Sequence, residues 1–407
     1  MNAPSPLAEC LGPDALLCGY APPSLRRWIA PDELSARAFS AGSLLVAGEL
    51  PLLCAREACG PETLGLLREA GWDPASKILP FGGMDDFARE IRDEASRGLR
   101  IVNSFPLPPG LVPGQAYLVP PSLRSWLNDK ANLGALVPAG LRPGREILSP
   151  EEVLSRPRDF QGKVLKICTP EGNGGGHGVL LPPESSESGK VEDLAREGVP
   201  VVVEAFLDFE ETRCLNFLVG SEGPARFLGA PEQELEGPRY AGNWFRAEEE
   251  ADPAWVEAGR AVCARAAALG YRGPVGMDAG RLAEGGFRIF DLNFRMNGST
   301  ASLLLFPALR LRHGASLALR TSFRGRLEPG RVFPELRDLS RRGLFILTGL
   351  AFDGDGLGPA DFIASGFLPG RGREQIQQAR EEVAARLGVP GIRSNSGWSR
   401  PGPGSRA

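Results

Sequence analysis

The stretch Val275–Thr300, VGMDAGRLAEGGFRIFDLNFRMNGST, decides how this chain is read. Two short runs flank Glu284-Gly285, and glycine beside a polar residue suits a tight two-residue hairpin turn. The second run alternates, with Phe290, Leu292 and Phe294 on one face and Asp291, Asn293 and Arg295 on the other. In the first run Val275, Met277 and Ala279 share a face, which leaves Gly276, Asp278 and Gly280 opposite. A two-residue loop then sets Asp278 directly across from Asp291. Facing carboxylates repel unless a cation sits between them. An oxygen-rich patch beside an arginine suits a hard divalent cation and phosphate. Magnesium with a triphosphate is the leading reading; on the hairpin alone, calcium or a structural salt-bridge cluster stays open.

The composition narrows the class. With 407 residues the chain is long enough for two or three domains. An apolar fraction of 42%, a charged fraction of 24% and a net charge of −4 are those of a soluble globular protein without a nucleic-acid footprint. No run reaches the roughly 18–20 apolar residues of a membrane span, and the N-terminus lacks a signal-peptide pattern, so a cytoplasmic protein is expected. Seven scattered cysteines without a CxxC pair, and only two histidines, argue against structural zinc and against a disulfide scaffold.

From Gly42 the pattern is α/β. SLLVAG (43–48) reads as a strand, PETLGLLREAG (61–71) as a short helix, KILPFG (77–82) as a second strand, MDDFAREIRDEASRG (84–98) as an amphipathic helix and LRIVNSF (99–105) as a third strand. That alternation predicts a parallel, Rossmann-like sheet, and the missing GxGxxG speaks against a dinucleotide there. Residues 1–40, rich in proline, predict a loosely docked or partly helical segment. Pro/Gly-rich 106–121 marks a boundary, and a helix-like stretch at 125–138 carries Lys130, on its own an ordinary surface lysine.

KVLKIC (163–168) reads as a strand with Lys166 in an apolar run; it leads into the glycine-rich TPEGNGGGHG (169–178) and out through VLL (179–181). This is no Walker loop, since no helix and no Lys-Ser/Thr follow. Its glycines would still let backbone N–H groups close on an anion; the bland alternative is a floppy hairpin tip. VPVVVEAFL (199–207) and FEETRCLNFLVG (209–220) read as strands bearing Glu204, Glu210, Glu211, Arg213 and Asn216, and 231–245 as a long polar loop. DPAWVEAGRAVCARAAALG (252–270) predicts a helix capped by Asp252, 303–320 a helix broken near Pro307, 341–356 one or two strands, 373–388 an amphipathic helix and 394–407 disorder.

In this order the parts resemble the ATP-grasp superfamily over roughly residues 40–325: a Rossmann-like domain, a lysine helix, a lysine strand with a Gly-rich loop, a Glu-bearing strand, and the Asp…Asp-x-Asn-x-Arg hairpin. The resemblance implies an ATP-dependent ligase whose two lobes hold the nucleotide between them. It implies that Lys130 and Lys166 reach the phosphates, that Gly174, Gly175 and Gly176 close over them, and that Glu204, Ala205, Phe206 and Leu207 form an inter-lobe hinge reading adenine. Glu211, or its neighbour Glu210, would hold the ribose. Asp278, Asp291 and Asn293 would hold two magnesium ions, with manganese an alternative; position 291 is commonly Glu in the family and is Asp here. Arg295, with Lys166 and Arg213, would serve the phosphoryl transfer. The chain is similar, more narrowly, to natural-product peptide ligases of the pheganomycin type.

The expected activity is amide or peptide bond formation through an acyl-phosphate, with release of ADP and phosphate. The carboxylate and amine would be amino acids or short peptides, met by Gln233, Arg239, Tyr240, Asn243 and Asn297–Thr300. A small-molecule kinase or a non-catalytic nucleotide-binding protein are the rivals. A homodimer is an open option; nucleic-acid and membrane partners are not expected. Expected boundaries are 1–120 for the Rossmann-like domain, 121–325 for the ATP-grasp domain and 326–393 for a small C-terminal α+β module, followed by the tail.

Overall fold

The computed structural model describes residues 5–23, 29–30, 32–155, 160–169, 178–182, 188–236, 239–248, 250–353 and 358–389. Its architecture is mixed α/β, in three sheets. The first is parallel, built from β1 (Ala15–Cys18), β2 (Leu52–Ala55), β3 (Ile78–Phe81) and β4 (Arg100–Asn103) in the order β3-β2-β1-β4. Strands with both faces covered read as unbroken apolar runs, and every residue of β1 and β2 is buried. The helices Pro61–Glu69 and Met84–Ser96 fall where their amphipathic patterns place them.

The proline-rich start is partly helical, as one of the two expectations had it, with capped helices at Pro6–Leu11 and Glu33–Ser40, but it also contributes the central strand β1. A second expectation is corrected. Residues 43–48 are successive turns, closed by bonds such as Val46 N–H to Ser43 C=O, and the strand comes later, at β2. Leu44 and Ala47 are fully buried, so burial, not extension, accounts for their apolar character.

The second sheet is small. It contains β5 (Arg145–Leu148), β6 (Lys163–Ile167), β7 (Val179–Leu180) and β8 (Val201–Ala205), ordered β5-β8-β6-β7. Leu165, Val201 and Val203 turn to its own small core, so Lys166, Val202 and Glu204 stand on the other face.

The third sheet has nine antiparallel strands: β9 (Phe209–Val219), β10 (Arg226–Gly229), β11 (Glu232–Glu236), β12 (Arg239–Arg246), β13 (Gly273–Leu282), β14 (Phe287–Asn293), β15 (Leu317–Leu327), β16 (Ile346–Asp353) and β17 (Ala360–Gly370). Its order is β14-β13-β9-β11-β12-β15-β17-β16, with β10 beside β9. Along the chain, residues 206–208 connect the small sheet to this one.

The expected loop at 231–245 is instead the hairpin β11–β12, in the middle of the large sheet. Its polarity has a structural source. Glu232 pairs with Arg373 and Glu234 with Arg380, both on the helix Arg373–Arg386, while Gln233 and Asn243 face the other way. The helix at Thr300–His313 runs unbroken through Pro307 and ends at Gly314, whose φ of +60° is left-handed; the chain then turns into β15. The strands of the expected C-terminal module, β16 and β17, are bonded into the large sheet through β15. Their core is continuous with that of the N-terminal domain, and Trp72 Nε1 donates to the Leu347 carbonyl on β16 at 2.7 Å.

Trp72→Phe keeps most of the buried ring but leaves that carbonyl without its donor. Chemical denaturation should show a loss of about 1–3 kcal/mol, with an unchanged circular dichroism spectrum.

Candidate active site

The β13–β14 hairpin places Asp278 opposite Asp291 by a route the sequence does not reveal. Bonds from Leu282 N–H to Gly286 C=O and from Gly285 N–H to Leu282 C=O close a turn one residue longer than expected. Gly285 and Gly286 take φ of +94° and +78°, which suits glycine. The longer turn shifts the outer register, so Ala279 faces Ile289. A bulge at Phe290 then restores the alignment, and Asp278 meets Asp291. The bulge also turns Phe290 out of the core face on which the alternation placed it; Ile289, Leu292 and Phe294 fill that core.

Phe290 stacks on Phe209 with ring centroids 5.2 Å apart, and its carbonyl accepts a bond from Lys166 Nζ at 2.7 Å. Gly276 and Gly280 flank Asp278 for a steric reason. A Cβ at Gly276 would stand 1.8 Å from Asn297 Nδ2, and one at Gly280 2.3 Å from the Phe209 ring.

The two acids titrate apart. Burial, and then the neighbouring Asp291, push Asp278 up to about 6, while Cys214 and Gln233 bond its carboxyl. Burial pushes Asp291 the same way, but Lys130 and Lys166 outweigh it and hold this carboxyl below the usual range. Lys130 Nζ bonds Asp291 directly. Its segment is not the expected continuous helix: the helix Pro121–Asn128 ends before it, and Lys130–Asn132 is a 3-10 turn. Asn128 pins the hairpin end, accepting from Phe294 N–H at 3.0 Å, and so sets Lys130 against Asp291.

Lys166 also pairs with the buried Glu204 at 2.6 Å. Arg145, opposite Glu204 on β5, lies 3.7 Å from the same carboxylate and donates to the Lys130 carbonyl. Its Nε and Nη1 and Glu204 Oε1 are buried without a hydrogen-bond partner, and burial lowers its pKa. Arg145 is a site residue that sequence reading missed; nothing but its register opposite Glu204 could have marked it. Arg295 donates to Asn293 Oδ1 at 2.7 Å and lies over the Phe105 ring at 5.4 Å, just past the carboxyl end of β4. Burial lowers its pKa.

The structure thus brings together Lys130, Lys166, Glu204, Asp278, Asp291, Asn293 and Arg295. It does not bring Glu211 and Arg213 to them. The register pairs Asp278 with Cys214, Gly280 with Thr212 and Arg281 with Glu211, so Thr212 and Cys214 share the face of Asp278. Glu211 and Arg213 stand on the opposite face, where Glu211 pairs with Arg213 and Arg281. Glu210 is exposed at an irregularity in the β9 register. The hinge residues lie where the two sheets meet, but Ala205 N–H already bonds Gly144 and Phe206 N–H bonds Gly162. Leu207 follows in the connection between the sheets. Gly174, Gly175 and Gly176 lie outside the described residues, as do His177, the 394–407 tail and the Arg239 side chain.

Beside the acids, Asn297 Oδ1 accepts from the Ser299 and Thr300 N–H groups and hydroxyls, and Asn216 bonds both hydroxyls. Tyr240 bonds Asn243 and lies against Gly298; burial pushes it up to about 12. Among the described residues no three His, Cys, Asp or Glu side chains cluster for a metal, and no helix is long and apolar enough to cross a membrane.

Two family models match consecutive parts of the chain: the N-terminal domain of L-aspartate–L-methionine ligase over residues 6–125 and its ATP-grasp domain over 143–293. An ADP complex of N5-carboxyaminoimidazole ribonucleotide synthetase is similar at a TM-score of 0.56 and 11% identity, covering 91% of this chain and 95% of that one. The ADP-bound Staphylococcus aureus N5-carboxyaminoimidazole synthetase gives 0.56 and 10%, over 92% and 96%. The L-amino acid ligase of Bacillus licheniformis gives 0.53 and 12%, over 92% and 97%. At these identities the structures establish the shared fold.

The acid pair carries a measurable cost in the metal-free protein. Because the folded state raises the pKa of Asp278, it binds the proton more tightly than the unfolded chain. The stabilising contribution is complete below pH 4 and is lost as the pH rises through about 6. Asp278→Asn should therefore stabilise the metal-free protein at pH 7.5 by about 1–3 kcal/mol, read by urea denaturation with a chelator present, and flatten its stability between pH 4 and 7.

Proposed function

Since the chain belongs to the ATP-grasp carboxylate–amine ligases, we propose that it activates the carboxylate of aspartate with ATP and couples it to the amine of methionine. The substrate pair is supported by the family named over both matched regions. The observation that carries the site is Asp278 facing Asp291 with Lys130 and Lys166 converging on them.

A carboxylate oxygen of aspartate attacks the γ-phosphorus as the bond to the β–γ bridging oxygen breaks and ADP leaves. The amine nitrogen then attacks the acyl carbon, the bond to phosphate breaks, and the departing phosphate takes the amine proton. Lys130, Lys166 and Arg295 stabilise the charge on the transferred group from a fixed, largely buried frame. Lys166 reaches it from the small sheet while held by Glu204 and the Phe290 carbonyl. Arg145 sets the Lys130 backbone and completes the charge around Glu204.

Two facing carboxylates and an amide oxygen suit magnesium, which takes one or two carboxylates and completes its shell with phosphate and water. Asp278, Asp291 and Asn293 would hold it; bound there, it would neutralise the β- and γ-phosphates. Burial, and then the facing Asp291, push Asp278 up to about 6, a cost that a cation held between the two carboxylates would relieve. For the ribose, the register favours Glu210 over Glu211. Adenine would be read by the hinge carbonyls and the Leu207 N–H, since the N–H groups of Ala205 and Phe206 are already bonded. The Gly-rich loop, with Gly174–Gly176, would cover the phosphates and exclude water from the acyl-phosphate. ATP, magnesium and seven free thiols suit a cytoplasmic enzyme of small-molecule biosynthesis.

With ATP, magnesium, aspartate and methionine, the enzyme should release ADP and a product lighter than the two amino acids by one water. A product heavier than one amino acid by one phosphate would make it a kinase. Asp291→Ala and Asn293→Ala should each lower turnover at least about 100-fold with an unchanged circular dichroism spectrum; wild-type turnover in either would refute the assignment.

A further inference from the structure

The floor of the large sheet carries a polar row that runs from the acids toward the C-terminal strands. Asp291, Asp278 and Cys214 are neighbours across β14, β13 and β9. Gln233 bonds Asp278 from β11, Asn243 stands opposite Gln233 on β12, and Arg320 stands opposite Asn243 on β15. Residues opposite each other in an antiparallel sheet point to the same face, so the row ends in a guanidinium. Arg320 is half-buried. Its side chain bonds the Tyr240 hydroxyl, and it has no carboxylate partner among the described residues. Such arginines ordinarily pair with an acid, as Arg380 does with Glu234 on the other face of this sheet.

The surroundings are built. Tyr240 is held by Asn243 and packed against Gly298, and Asn243 is fully buried, with Nδ2 donating to the Glu232 carbonyl at 3.3 Å. β12 approaches β15 so closely at Gly242 that a Cβ there would stand 2.1 Å from the Arg320 carbonyl oxygen. Arg320 is therefore anchored on a rigid part of the sheet, with its charged end unmatched.

Resting on the ligase reading, we propose that Arg320, with the Tyr240 hydroxyl, forms a carboxylate subsite that holds the non-reacting α-carboxylate of the amine substrate. Four inter-strand steps separate β13 from β15, roughly 19 Å between backbones at about 4.8 Å each. The arginine side chain and the phosphate end each take part of that span. What is left suits two amino acids laid end to end, roughly 7 Å at about 3.5 Å per residue. The donor carboxyl lies at the acids and the acceptor carboxylate at Arg320. A free α-amino acid would thus be the acceptor, and one whose carboxyl is amidated would be refused.

The test compares methionine with methioninamide as acceptor, at saturating ATP and aspartate, in wild type, Arg320→Gln, Arg320→Lys and Tyr240→Phe. Wild type should favour methionine. Arg320→Gln should raise the KM for methionine about 10- to 100-fold and leave those for methioninamide, aspartate and ATP unchanged. Arg320→Lys should restore part of the difference, and Tyr240→Phe, which keeps the ring packing, should show a smaller shift of the same kind. An unchanged methionine-to-methioninamide ratio in Arg320→Gln, or a rise confined to aspartate, overturns the subsite. If wild type is inert with aspartate and methionine, the substrate pair fails, and binding of the free α-amino acids and their amides to the ADP-bound enzyme, by calorimetry, decides the subsite. Carboxylate-dependent binding that Arg320→Gln abolishes supports it; binding that is absent, or indifferent to the variant, overturns it.

Discussion

A single unpaired residue in the ladder, Phe290, holds the site together. The turn of the β13–β14 hairpin is one residue too long to align the acids, and the bulge compensates, so that Asp278 and Asp291 meet. The same irregularity leaves Phe290 without a cross-strand partner and makes its carbonyl the acceptor for Lys166 from the small sheet. One local departure from regular pairing thus brings the carboxylates together and ties the two sheets across the site. Bulges are well suited to this, since they re-aim side chains and end pairing at one point.

Around that point charge is arranged asymmetrically. Asp291 is compensated within the protein by Lys130 and Lys166; Asp278 bonds the neutral Cys214 and Gln233, and the pull of Lys130 on it does not offset burial and the facing Asp291. Arg145, Glu204 and Lys166 form a second buried charge group behind the first, with hydrogen-bonding atoms left over. Buried, imperfectly satisfied polar groups cost stability, and a fold keeps them where function requires them.

Much of this was legible in the sequence. The facing of Asp278 and Asp291, Lys166 in its apolar strand and the strand-helix alternation of residues 61–105 are local patterns, and local patterns survive folding; Lys130 has no local signature and was marked only by the order of parts that the family shares. The failures are equally physical. Phe290 was put on the wrong face because a bulge breaks period-2 alternation without changing composition. The hairpin at 231–245 read as a loop because Glu232 and Glu234 are neutralised by Arg373 and Arg380, 140 residues or more further along the chain. Glu211 and Arg213 followed from spacing in the family pattern, whereas strand parity faces them away from the acids. Arg145 and Arg320 have no local signature; each gains its meaning from the strand beside it.

The short connection at 206–208 separates two mechanical tasks. Asp278, Gln233, Asn243 and Arg320 belong to one hydrogen-bonded sheet, so the spacing along that row is as fixed as a ruler. Lys166 belongs to the other sheet and touches this one through Phe290. On the proposed reading, a tilt of the small sheet would change the grip on the nucleotide without altering the length of the row that measures the amino-acid pair. Changes in acceptor preference should therefore accumulate on β12 and β15, and changes in nucleotide affinity on β6 and β8, with little traffic between them.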